Sequence, residues 1–232
     1  MKTIITLDDK NFGGGHYNAA HIEQIDENNI HSSKYISIQN LLSALSGSVV
    51  SENRFYRLGR MPQNYYDGMI LRDENEQISG KVALAVPKHR TTVHFEDTDY
   101  LICFPALFFC FSIENSRIKQ TNLFALKGSH WKEEDFLYNY PFGNVNTYSH
   151  TVCWGSNQLP AIETLQTLDV VVSLFYDSPT NNDYYSAGDS TAWKEDNLRA
   201  VLKRLDGLEE FPEEILVQTN CSTIGDYLKI FF

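Results

Sequence analysis

The chain of 232 residues is 42% hydrophobic, 21% charged and 13% aromatic, a composition that can bury a sizeable core and excludes a disordered chain. Its formal charge of −11 opposes polyphosphate and anionic lipid, so neither nucleic acid nor a membrane surface is an expected partner. The longest strongly apolar run, Leu101 to Phe111, is broken by Pro105 and falls short of the roughly 18 to 20 residues that span a bilayer. Acidic residues follow the first few positions and no apolar leader develops, so a cytoplasmic location is expected.

In chain order, Thr3-Ile-Ile-Thr-Leu7 reads as a strand by its β-branched content. Gly13-Gly-Gly15 is followed by no Gly-Lys-Ser/Thr and reads as a plain loop, not a phosphate cradle. Ile38, Leu41, Leu42 and Leu45 recur at helical spacing and stop at Gly47, which predicts a short amphipathic helix. From Val49 the pattern turns to short extended runs. Met69 to Leu71 and Lys81 to Val86 flank a polar, acidic turn, and Tyr100 to Ile113 and Ile118 to Leu126 flank Glu114-Asn-Ser-Arg117. These predict an antiparallel meander in which Pro87 and Pro105 start or break strands. Ala161 to Phe175 reads as a helix entered at Pro160 and capped by Ser156 or Asn157, although Val170-Val-Val172 leaves a strand open. Leu198, Val201, Leu202 and Leu205 predict a further helix, with a cap among Asp189, Ser190 and Thr191 and a stop at Gly207. Without internal repeats or a shift in composition, one α+β domain over 1–232 is expected.

Cys103, Cys110, Cys153 and Cys221 form no Cys-x-x-Cys pair and have no matching His spacing, so neither a metal site, a redox dithiol nor a cofactor is expected. Cys103 and Cys110 lie in the most apolar stretch and read as core thiols, and Cys221 has no acid or base beside it. Cys153 stands apart. It lies near the end of the segment 138–155, which is too rich in Asn, Gly, Pro and Ser for regular structure and reads as a structured, function-bearing loop. Arg54, Arg57 and Arg60 form the one local basic cluster, read either as a docking point for an acidic partner or as a solvated edge.

Pro141-Phe-Gly-Asn-Val145, followed after a polar turn by Val152-Cys-Trp-Gly155, resembles the active-site loop of the ubiquitin-conjugating (E2) superfamily. There a His-Pro-Asn motif precedes the thioester-forming Cys by a distance similar to that from Asn144 to Cys153. The closer resemblance is to prokaryotic E2 family D, the PRTRC-system B proteins. It is carried in order by Pro87-Lys-His-Arg90, Phe104-Pro-Ala-Leu-Phe108, Leu123-Phe-Ala-Leu-Lys-Gly128, Leu137-Tyr138, Pro141 to Val145, Val152 to Gly155 and Pro160. The resemblance covers residues 34–175, with 1–33 and 176–232 as flanking extensions. It implies a UBC (E2)-like fold with an N-terminal helix, an antiparallel β-meander, an active-site loop and C-terminal helices. The implied function is an E2-type transferase that accepts a ubiquitin-like protein from an E1-like (ThiF-type) activating enzyme as a Cys thioester and passes it to an acceptor. A JAB-type metallopeptidase belongs to the same systems. The alternative is a non-catalytic E2-fold module that binds or scaffolds the ubiquitin-like protein. The motif's His is absent here, since Phe142 and Gly143 precede Asn144.

The chemistry can be argued from the residues themselves. A thioester carrier needs a sulfur nucleophile, which Cys153 supplies. Attack on the thioester builds negative charge on its carbonyl oxygen, and a fixed amide donor beside the sulfur would stabilise it. Asn144 is the candidate donor, with Asn146 in reserve; bracing of the loop through backbone bonds is the competing reading of both. His150 reads either as a general base near Cys153 or as a surface-loop residue, and Trp154 either covers the sulfur or anchors the loop. Asp177 and Asp183 read as orienters of an incoming amine or as solvated carboxylates. A Cys–His hydrolase using His89 or His130 is a third, weaker reading.

Overall fold

The computed structural model describes residues 2–7, 19–26, 31–48, 59–73 and 75–232. Gly13 to Gly15, Arg54 and Arg57 lie outside the described residues, and Arg60 is exposed. Backbone contacts group the chain into two compact units, 1–55 and 56–232.

In the first unit, strands β1 (Lys2–Leu7), β2 (Ala19–Ile25) and β3 (His31–Ser37) form an antiparallel sheet in that order, followed by helix α1 (Ile38–Ser48). The Ser37 hydroxyl accepts a hydrogen bond from the Asn40 amide at 3.0 Å and caps α1. Leu41 is buried, while Leu42 and Leu45 are exposed.

The second unit is built on strands β4 (Tyr65–Arg72), β5 (Ile78–Val86), β8 (Ala106–Glu114), β9 (Arg117–Leu126), β10 (Phe136–Tyr138) and β11 (Gln218–Thr223). They form one antiparallel sheet in the order β11-β10-β9-β8-β5-β4. Strands β6 (His89–Phe95) and β7 (Thr98–Phe104) pair separately as a two-stranded ribbon. Within the run from Tyr100 to Ile113 the break falls at Pro105, as the sequence predicts. Pro105 has no N–H to donate, so the ladder breaks there: β7 turns back onto β6 and β8 enters the main sheet.

Alternation explains why this run is apolar throughout. Val82, Leu84, Leu107, Phe109, Phe111 and Leu123 face one core, packed against helices α2 (Thr167–Asp177) and α3 (Leu198–Leu205). Ala83, Ala85, Phe108, Cys110, Phe124 and Leu126 face a second core beneath helix α4 (Ile224–Phe231). A sheet covered on both faces needs apolar residues at both parities. Antiparallel sheets with helices give the α+β class that the pattern predicted.

Two boundaries differ from expectation. Helix α2 begins at Thr167 and not at Ala161, because the Ile162 amide is bonded to the Ser116 carbonyl at 2.8 Å while Ile162 and Leu165 fill the core. Val170 to Val172 are helical. Helix α3 is capped by Asn197, whose side chain accepts from the Ala200 amide, and not from 189–191. Ser190 and Thr191 are fully buried and already engaged, Ser190 with the Ser186 amide and Thr191 in a bridge to Leu216. Gly207, at φ 76°, follows α3 as expected.

Candidate functional site

The segment after β10 is the irregular loop that its composition predicted, and three sets of contacts hold it. Phe142, Val145 and Val152 are buried in the first core. The return limb lies along β9, in the place that short β10 leaves open: the Leu123 amide donates to His150 O at 2.9 Å and the Val152 amide to Thr121 O at 2.8 Å. Buried Asn122 adds a side-chain bond, its Nδ2 donating to Ser149 O at 2.8 Å while its Oδ1 accepts from Gln120.

The tip is closed by Asn146. Its Oδ1 accepts from the amides of both Tyr148 and Ser149 at 2.9 Å, an Asx turn, and its backbone carbonyl accepts from the His150 amide at 2.7 Å. Asn146 is thus committed to the loop's own backbone. Val145 bridges Val152, which sets Asn144 opposite Cys153, and the Cys153 amide donates to the Asn144 carbonyl at 2.7 Å. The Cys153 residue is exposed.

Asn144 has φ 70°, the left-handed conformation that Asn tolerates better than most residues. Its Nδ2 donates to Pro179 O at 2.9 Å, and its amide reaches Asp183 O at 3.4 Å. The segment 179–183 therefore lies directly over the loop. Gly143 makes that approach possible: a Cβ there would stand 2.3 Å from Asn181 O and 2.8 Å from Thr180 Oγ1.

His150 sits in a second left-handed position, at φ 55°, and is buried with its ring 4.5 Å from that of Phe124. Burial holds its imidazole below the ordinary His pKa. Trp154 packs edge-on against Phe175 with ring centroids 6.0 Å apart, the anchoring arrangement; its Nε1 is buried without a partner among the described residues. Asp177 is exposed at the end of α2, and the Asp183 carboxylate accepts from Asn181. His89 is packed against Phe104 and Tyr176, and His130 meets Ser129 in an exposed turn. Between Lys132 and Lys194 the sequence holds no Lys or Arg, so neither the loop nor the 179–183 segment over it carries a cationic side chain.

The model of the family described as prokaryotic E2 family D matches residues 43–219. The chain belongs to prokaryotic E2 family D. No curated protein and no solved structure matches it significantly. The family D match takes in the whole Cys153 loop and the segment over it. Among the described residues of this family D protein, no helix is long and apolar enough to cross a membrane.

The site also depends on residues that sequence reasoning did not select: Asn122, Phe124, Gly143 and residues 179–182. Gly143 within Pro-Phe-Gly-Asn was the one available signal, a glycine at a close approach.

The burial of His150 predicts a pH dependence. On acidification the unfolded chain takes up this proton first, so folding stability from this group is complete above about pH 6.5 and declines as pH falls through the window below it. His150→Asn keeps a residue tolerant of the left-handed backbone and removes the titration. Its denaturation midpoint should fall less between pH 7.5 and 5 than that of the parent chain; parallel profiles would refute the assignment.

Proposed function

We propose that this family D protein is an E2-like carrier with Cys153 as its acceptor thiol. The observation that carries the reading is an exposed cysteine on a loop whose backbone is fixed on both sides, by β9 and by 179–183. In loading, the Cys153 thiolate attacks the carbonyl carbon of a ubiquitin-like protein's C-terminus held as a thioester on an E1-like enzyme. The new C–S bond forms as the enzyme's thiolate leaves. In discharge, an acceptor amine attacks, the Cys153 thiolate leaves, and the amine's extra proton passes to solvent.

In this proposal Asn144, set opposite Cys153, is the amide donor to the oxyanion: one Nδ2 hydrogen goes to Pro179 O and the second serves the oxyanion. His150 braces the loop: its ring rests on Phe124 and its backbone bonds to β9. The meander, the Cys153 loop and the helices after it would correspond to the UBC order of elements. A cytoplasmic setting with its ubiquitin-like partner and an E1-like enzyme of the ThiF type goes with this reading, as does a JAB-type metallopeptidase in the same system.

The test is reconstitution. With an E1-like enzyme of the ThiF type, ATP and its cognate ubiquitin-like protein, the chain should form an adduct on a non-reducing gel that collapses with a thiol reductant. Loading of the E1-like enzyme without transfer to this chain would refute the carrier reading. A second reading, a non-catalytic docking module, is favoured by one observation: the Asn144 amide already donates to Pro179 O. Thiol-independent binding of the ubiquitin-like protein without adduct formation would support it.

A further inference from the structure

Helix α4 lies beyond residue 219, where the family match ends, yet it is firmly joined to the second unit. Thr223 caps it by accepting from the Asp226 amide, and the amides of Ile224 and Gly225 donate to Asp135 O and Glu133 O at 2.9 Å. At its far end Lys81 Nζ donates to Phe231 O and stands over the Phe231 ring at 5.3 Å. Between these ends, Ile224, Leu228 and Phe231 cover the small side chains Ala83, Ala85 and Ala106.

The inner residue Tyr227 connects this helix to the site. Its ring lies 4.6 Å from Phe124, edge to face. Phe124 in turn lies 4.5 Å from the His150 ring. Phe124 thus has α4 as one neighbour and the Cys153 loop as another, and the adjacent β9 residues, Thr121 to Leu123, carry the loop's backbone bonds.

We propose that α4 is a clamp on the Cys153 loop, acting through Tyr227, Phe124 and His150, and that Tyr227 and Phe124 are positioning residues for the thiol. The helix covers the sheet face that the α2 and α3 side leaves bare, and it sets how firmly the return limb 149–152 stays on β9. A ligand or partner that lifts α4 would therefore loosen the loop without touching Cys153. The regulatory meaning of this clamp rests on the carrier reading, but its physical content does not.

The experiment is hydrogen exchange on the full chain, with no partner present, comparing amides of 121–123 and 150–152 with those of α2 as an internal reference. Tyr227→Ala removes the ring contact and should raise exchange in the loop and β9 by about tenfold while α2 is unchanged. Tyr227→Phe keeps the ring and should exchange as the parent does. Should Tyr227→Ala destabilise the whole chain, α2 would report it, and Lys81→Met then serves: it frees the far end of α4 without touching Phe124 and should raise loop exchange about threefold. Loop protection that stays at the parent level while α4 itself opens would overturn the clamp. Adduct formation is not read here, so failure of the clamp and failure of the carrier reading are distinguishable.

Discussion

Replacing Cys153 with alanine is expected to abolish the reducible adduct completely, and replacing it with serine to leave at most an oxyester that a thiol reductant does not cleave. Because the residue is exposed, its side chain contributes little to packing, and either substitution should leave stability within about 0.5 kcal/mol of the parent. Loss of the adduct would then be loss of chemistry and not of fold. Asn144 needs a different variant. At φ 70° an alanine would add backbone strain of about 1 to 2 kcal/mol, whereas glycine adopts the conformation freely and still removes the amide. Asn144→Gly should load normally and discharge to an amine about 10²- to 10³-fold more slowly, the usual effect of deleting one oxyanion donor. Discharge at the parent rate would leave Asn144 as a brace for 179–183 and nothing more.

The largest structural effect is expected at Gly143. A methyl group there meets Asn181 O at 2.3 Å, and because that atom is backbone it cannot swing aside as a side chain would. The segment 179–183 must move as a unit, although the Thr180 amide is tied to His94 O at 2.8 Å. The displacement costs the Asn144 bonds to Pro179 and Asp183 as well as the overpacking itself. About 3 kcal/mol or more should be lost, from roughly 1 to 3 for the overpacked contact and about 1 for each hydrogen bond. A chemical-denaturation midpoint measures this directly. An unchanged midpoint would mean that 179–183 is not seated on the loop.

The sequence was most legible where local pattern and tertiary environment agree. Leu198, Val201, Leu202 and Leu205 mark α3 because all four are buried on one side of it. The β4–β5 and β8–β9 hairpins show as apolar runs around polar turns, and Asn115 and Ser116 take the positive φ that such a turn requires. Legibility failed where distant partners decide. Nothing near Ile162 announces that its amide belongs to Ser116, so α2 was drawn too long. Pro105 marks the break between β7 and β8, but nothing in the apolar run announces that β7 leaves the main sheet to pair with β6. Strand β11, with its polar sequence Gln-Thr-Asn-Cys-Ser-Thr, has no strand signature of its own. Helix α4 was readable, since Ile224, Leu228 and Phe231 recur at helical intervals behind Thr223, but it was overlooked. Within the site, the irregular loop was visible in its composition. The bonds from Asn122 and Pro179, which come from 27 and 35 positions away, were not.

Those separations have a consequence for synthesis. The loop around Cys153 is completed by a strand made before it, by Pro179 to Asp183 made after it, and by α4 at 224–231. A nascent chain that has just exposed the cysteine therefore lacks two of its three supports, and contacts this distant in sequence form late relative to local ones. The loop's distant supports are all present only once the chain has been made through α4, so a shorter nascent chain holds Cys153 on fewer contacts.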